Sequence, residues 1–333
     1  MPGALSKPHM IGLDEGPAFV FGFGFKDNAA EALSWETMEA AGYDWRWIHL
    51  NINHEEARSW IRSGASLPAA AASALLAGET RPRVTTFGEG LVVNLRGVNL
   101  NEGAEPEDMV SLRIWIDARR IISVRLRKLR AAIDVREAVE EGLRPSGPGA
   151  LVSKLASRLI DRIQPYVQEI EDEVDGLEDA MLSGGSSGLR AQLADTRHDA
   201  VLLRRFIAPQ RDALTRLAMD EAPLFDHATK IELREIADLV TRQTESIDAA
   251  RERAMVLQDQ LTDQRAEEMN RNMMILSVAA AVFLPLGFLT GLFGINVGGM
   301  PGVDSPLAFW LVCAACVLIG GALVLVFKAM KWL

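Results

Sequence analysis

No charged residue occurs between Arg271 and Asp304, and none between Asp304 and Lys328, so the C-terminal part of this chain holds two long uncharged stretches. A helix needs roughly 20 apolar residues to cross about 30 Å of hydrocarbon, and each stretch supplies them. The spans fall near Met273 to Phe293 and Leu307 to Phe327. Arg265 and Arg271 precede the first span and Lys328 and Lys331 follow the second, while the connecting loop carries only Asp304. The positive-inside rule then puts both termini in the cytoplasm and the loop outside, as in a multi-pass protein of the inner (plasma) membrane. The N-terminus lacks the basic and apolar run of a cleavable signal, so the large N-terminal part is expected to be cytosolic.

Of 35 basic and 45 acidic residues, all but Arg271, Lys328, Lys331 and Asp304 lie in the soluble part. That acidic balance excludes nucleic acid as a partner and suits attraction of cations. The two cysteines, Cys313 and Cys316, sit inside the second span, which leaves no disulfide framework or zinc-finger spacing. Three residues apart on one helical face, they could hold a soft metal; two small residues in a packed membrane helix is the plainer reading. His9, His49, His54, His198 and His227 are scattered without metal-ligand spacing, and Asp226 beside His227 reads as a helix cap. No nucleophile, acid–base pair or cofactor loop stands in a credible setting, so an enzyme is not expected and no cofactor is called for. "GFGF" at Gly22 to Phe25 has phosphate-loop glycine spacing, but it lies within an alternating strand and no Lys-Ser follows.

Residues 1–145 read as an α/β domain. Pro17 to Phe25, Trp45 to Ile52, Gly90 to Val98, Met109 to Asp117 and Arg119 to Leu126 carry the alternation and β-branched content of strands. His54 to Ser63, Leu67 to Leu76 and Leu129 to Gly142 look helical. "RPSGPG", Arg144 to Gly149, marks a boundary. Over 150–220 an antiparallel helical hairpin is expected, its first arm striped by Val152, Leu155, Leu159, Ile163, Tyr166, Ile170, Val174, Leu177 and Met181, kinked at Pro165 and turned by "SGGSSG". The acidic run Glu169 to Asp179 on that arm reads as a solvated face.

From 228 to 293 a stalk helix is expected to continue into the first span. Leu233, Ile236, Val240, Gln243, Ile247, Ala250, Ala254, Leu257 and Leu261 follow one another by alternating threes and fours, the heptad of helices wound together. At 1.5 Å per residue such a rod is about 100 Å long. Two spans cannot enclose a water-filled path alone, so transport requires copies assembled about an axis, and the heptad stripe is the expected contact surface. Continued into the membrane, the three-four rhythm shows Asn270, Met273, Ser277, Ala280, Leu284, Gly287 and Gly291 on one face, small or apolar and uncharged. Glycines 287, 291 and 294 could instead serve close helix packing. With Asn296 at the end of the row, a narrow apolar conduit with a polar ring at its mouth is the reading adopted. The external loop is placed at 294–306, the second span at 307–327 and a basic cytosolic tail at 328–333.

"FLPLGFLTGLFGIN", a short loop, a second span and the "KAMKWL" end resemble the CorA family of divalent-cation transporters. The family signature Gly-Met-Asn here reads Gly294-Ile295-Asn296, and the loop continues "VGGMPG" without an early acid. Both departures are similar to the ZntB branch, associated with zinc, as are "WIHLNINHEEARSWI", "RPR", "LRGVNLN" and "SLRIW". The resemblance implies an α+β membrane protein: a cytosolic α/β domain, a funnel of long stalk helices, two C-terminal transmembrane helices, and a homopentamer whose first spans line a central pore. It also implies that Asn296 binds a cation through its hydration shell, with Gly294 making the turn, and that acids of the stalk, Asp259 and Asp263, sense metal between subunits.

Bare Zn²⁺ prefers imidazole, thiolate or carboxylate at about 2.0–2.3 Å. The first span and loop offer no His, no Cys and one acid, Asp304, so a ring of amide oxygens holding first-shell waters is expected, with Asp304 adding a negative field at the entrance. The transported ion is therefore a divalent cation, zinc by the resemblance, possible coupling to protons included. The alternatives are a CorA-like Mg²⁺, Co²⁺ or Ni²⁺ channel and, from another class, a membrane-anchored metal-sensing or binding protein.

Overall fold

The computed structural model describes residues 16–78, 81–184, 188–295, 302 and 305–330. The chain divides into two compact units, Met1–Leu257 and Gln258–Leu333.

The first unit is built on a seven-stranded sheet in the order β2-β1-β3-β7-β6-β5-β4. Its strands are β1 (Phe19–Lys26), β2 (Ala29–Leu33), β3 (Trp45–Asn51), β4 (Arg83–Phe87), β5 (Gly90–Gly97), β6 (Val110–Asp117) and β7 (Arg120–Arg125). Only β3 and β7 pair in parallel; the others are antiparallel neighbours. The expected strands became β1, β3, β5, β6 and β7, and the edge strands β2 and β4 are additions. Asp27 and Asn28 both take positive φ, 47° and 61°, between the paired Lys26 and Ala29. That is the two-residue turn whose twist suits a hairpin, and it folds the alanine-rich β2 back on β1. "GFGF" lies in β1 as a strand. A Cβ on Gly24 would run into the ring of Tyr43, so this glycine admits a close aromatic contact.

Helices cover both faces of the sheet. On one, Ile48, Leu50, Val92, Trp115, Ile122 and Val124 pack with Ala57 and Ile61 of α1 (Glu55–Ser59) and its π-helical continuation, and with Ala71 and Leu75 of α2 (Ala69–Leu76). Arg113 is buried under this layer. Its Nη1 donates to the Leu75 carbonyl at 3.0 Å and its Nη2 to the Gly78 carbonyl, so a cation closes the carbonyl end of α2. Burial, with the nearby charge of Arg96, lowers its pKa to about 10. On the other face lie α3 (Arg130–Glu140) and α4 (Pro148–Leu182). A Cβ on Gly97 would meet Leu159 and Leu129, which shows how closely α4 and the start of α3 approach β5.

On this second face His49 is wholly buried, stacked on Phe21 at 4.8 Å, with Nδ1 2.7 Å from Ser123 Oγ. Ser123 also accepts from Trp47 Nε1 at 2.9 Å. Desolvation, then the charge of Arg125, holds the imidazole pKa well below its ordinary value.

Three long helices complete the unit. α5 (Leu189–Met219) returns antiparallel along α4, with Thr196 Oγ1 donating to Glu173 at 3.1 Å. The stripe of α4 is buried except at Tyr166 and Leu177, which are half-buried; Val167 goes inside instead. α6 (His227–Gly294) begins where Asp226 accepts from the Thr229 N–H at 2.7 Å. It then runs parallel to α4, joined by Lys154–Glu232 at 3.1 Å, by Gln243 Nε2 to the Ile160 carbonyl at 3.3 Å and by Arg253 to Glu178 at 2.7 Å. Arg204 of α5 reaches Asp248 of α6 at 2.5 Å.

This packing corrects one expectation. Every residue of the heptad stripe from Leu233 to Leu261 is buried within the single chain. The stripe is not a free surface for a second copy. A heptad specifies that a helix is wrapped by partners, and here α4 and α5 are partners from the same chain.

In the second unit α6 continues as helix through Pro285, and α7 (Ala308–Ala329) packs on it. Leu286 lies 3.6 Å from the position of a Cβ on Gly320. Val278 of α6 is buried, and Met274, Val282 and Leu289 are half-buried.

Replacing Ile247 by Ala should cost about 2–5 kcal/mol in unfolding free energy, while Met255→Ala, on the exposed side, should change it little. Chemical denaturation in detergent compares the two. For His49, the folded state binds its proton less readily than the unfolded state, so stability is full above the unfolded value of about 6.5 and falls as pH drops below it. Thermal unfolding at pH 7.5 and 5.5 should show that loss, and His49→Phe should reduce it.

Candidate pore face

The row Asn270, Met273, Ser277, Ala280, Leu284, Gly287 and Gly291 is exposed at every position, Leu284 to 73% and Met273 to 53%. On a 3.6-residue wheel it centres on the side of α6 away from Val278 and α7. It is not the prolongation of the heptad stripe, whose phase runs through Gln264, Glu268, Arg271, Ile275 and Val278; the row occupies other positions. Added Cβ atoms on Gly287, Gly291 and Gly294 would meet nothing within 4 Å, so these glycines do not serve packing against α7. Thr290 Oγ1 turns back onto the Leu286 carbonyl at 3.0 Å. The segment of α6 from Asn272 to Gly294 bears no ionisable side chain.

Gly294 is the last residue of α6, and Ile295 follows it, half exposed at 52%. Asn296 and Asp304 lie outside the described residues, as does His9. Beyond the loop, Phe309 and Trp310 form an edge-to-face pair at 5.5 Å at the start of α7, both exposed, as aromatic residues at a membrane boundary are. Cys313 and Cys316 are free and half-buried. Asp259 and Asp263 are exposed on α6. Among the described residues no group of three or more His, Cys, Asp or Glu side chains is placed to hold a metal ion.

The acids of the α4–α5 hairpin are more informative than the sequence suggested. Glu173, Asp195, Thr196 and Asp199 line an open hollow of about 330 Å³. Desolvation, reinforced by Glu107, Glu173 and Asp195, raises the pKa of Asp199 to about 6. Asp175 and Glu178 of the acidic run instead pair with Arg253.

The apolar end of α6 and the whole of α7, both largely exposed, are each long and apolar enough to cross a membrane. Residues 42–329 match the family described as CorA-like Mg2+ transporter protein. The chain is 42% identical over 292 residues to the divalent cation transporter CmaX of Pseudomonas aeruginosa, covering 86% of this chain and 87% of that protein. It is 35% identical over 287 residues to the zinc transport protein ZntB of Pectobacterium atrosepticum, covering 86% and 88%. The structure of full-length CmaX superposes with a TM-score of 0.81 at 36% identity, over 96% of this chain and all of that one. The chain belongs to the CorA-like family.

Because Asp199 takes up its proton more readily folded than unfolded, folding is favoured as pH falls from about 6 toward the ordinary 3.8, and the ionised form opposes folding at neutral pH. Asp199→Asn should therefore raise the melting temperature at pH 7.5, and the gain should vanish below about pH 4. Thermal unfolding across that range checks both signs.

Proposed function

We propose that this chain is one subunit of a divalent-cation transporter in which copies assemble in a ring, five by the family resemblance, with the exposed row of α6 facing the axis. The observation that carries this reading is the row itself: it is uncharged, small or apolar beyond Asn270, turned away from α7 and unused for packing within the protomer. Lipid alone would accept such a face, but Asn270 at one end and Asn296 beyond the other suit a water-filled axis better than hydrocarbon.

In this reading the pore mouth is Gly294-Ile295-Asn296. Repeated around the ring, the Asn296 amide oxygens accept hydrogen bonds from the polarised first-shell waters of a divalent ion, which passes without being stripped. Asp304 adds a negative field at the entrance, and the exposed Asp259 and Asp263 draw or sense ions on the cytosolic side. The ion is Zn²⁺ by the zinc-transporting relatives; the relative with the higher identity is described only as a divalent cation transporter, so Mg²⁺, Co²⁺ and Ni²⁺ form the competing set. Amide rings do not discriminate strongly among these ions, whose hydrated forms present similar waters. With no ionisable group in the apolar part of α6, coupling to protons falls to Asp304 or to the cytosolic acids.

Uptake of Zn²⁺ by purified protein in liposomes, with Mg²⁺ as competitor and with and without an imposed pH gradient, tests this reading. Asn296→Ala should reduce flux at least roughly a hundredfold, an estimate that treats its loss as removing all the direct hydrogen bonds to the hydrated ion, while leaving the assembly intact by size-exclusion chromatography. Unchanged flux would make the spans a mere tether for a metal-sensing protein.

A further inference from the structure

The tips of the β4–β5 and β6–β7 hairpins and the loop entering α2 enclose an open cleft of about 540 Å³ at one end of the sheet. That volume is in the range of small-molecule sites. Arg46, Arg119 and Arg120 line it, opposed by Asp117 and Glu89. Asp117 is already committed: it accepts from the backbone N–H of Arg119 at 2.9 Å and of Arg120 at 3.0 Å, from Trp115 Nε1 at 2.7 Å, and from Arg120 Nε at 3.0 Å. Arg46 and Arg119 have no carboxylate partner among the described residues, and the Arg46 Nε is buried without a hydrogen bond. The cleft therefore presents two uncompensated guanidinium groups against one free acid, Glu89.

Ser66 and Pro68, on the loop entering α2, close its other side. A planar guanidinium matches phosphate oxygens two at a time, which a halide or a carboxamide cannot exploit.

We propose that this cleft binds a phosphate-bearing small molecule through Arg46 and Arg119, giving the soluble unit a ligand site of its own. The site is made of residues remote in sequence from the pore face, and it stands whether or not the transport reading does.

Full-length protein in detergent, kept in EDTA so that no metal bridges the ligand, is titrated by calorimetry with inorganic phosphate, pyrophosphate, ATP and adenosine. The phosphate compounds should bind and adenosine should not. Combined Arg46→Gln and Arg119→Gln should weaken pyrophosphate and ATP by roughly tenfold or more, with the melting temperature unchanged. Glu89→Gln, which removes the opposing charge from an exposed turn, should tighten both by about two- to threefold. ATP binding more tightly than pyrophosphate assigns a nucleotide, and equal affinity assigns the phosphate groups alone. Absence of heat with every phosphate compound at about 1 mM, or affinity unchanged in a normally folded double variant, overturns the site. If the double variant melts early, Glu89→Gln decides, and no tightening overturns it.

Discussion

The helix α6 must satisfy two solvents along one backbone. In water its stability comes from burying an apolar stripe, and in hydrocarbon it comes from having every peptide group bonded within the helix. The stripe from Leu233 to Leu257 is buried where α6 runs along α4 and α5, with charged clasps at Lys154–Glu232, Arg204–Asp248 and Arg253–Glu178. Beyond it the positions of the same phase, Gln264, Glu268, Arg271 and Ile275, are exposed, and in the second unit Val278 is buried. In each unit one side of the helix is thus occupied within the protomer. What is left over is the other side, and in the apolar segment that side is the uncharged row ending near Gly291.

This division changes how self-assembly has to be understood. A chain that used its heptad to bind copies of itself would expose that stripe as a monomer. Here the protomer covers that stripe itself, and a ring would have to use surfaces that look ordinary in isolation: small side chains, glycines and scattered methionines. Such surfaces contribute little hydrophobic driving force in lipid, where close approach and dispersion matter more than removal from water.

Much of the soluble unit was legible because period and composition agree there. The strands with β-branched and aromatic alternation formed where expected, and Asp226 caps α6 as its chemistry suggests. β2 was hidden because "AAEAL" has no strand propensity of its own; pairing with β1 through the Asp27-Asn28 turn makes it a strand. β4 is five residues at the far edge, too short for alternation to register. The burial of Arg113 could not be read from sequence, since only the fold brings the open carbonyls of α2 beside it. The partner of the heptad was equally out of reach, because a repeat gives the period of a contact and not the identity of what makes it. At the candidate pore, the exposed row was legible as an uncharged face, whereas Asn296 lies outside the described residues.

Pro285 carries a consequence of its own. It has no N–H to give to the carbonyl of Ala281, so that carbonyl lacks its usual donor four residues on. In water that would be trivial. In hydrocarbon it would be a bare backbone acceptor in a segment whose side chains carry no charge, unless a hydroxyl, a water or a neighbouring helix donates to it. Titration cannot remove it, because the acceptor is a backbone carbonyl.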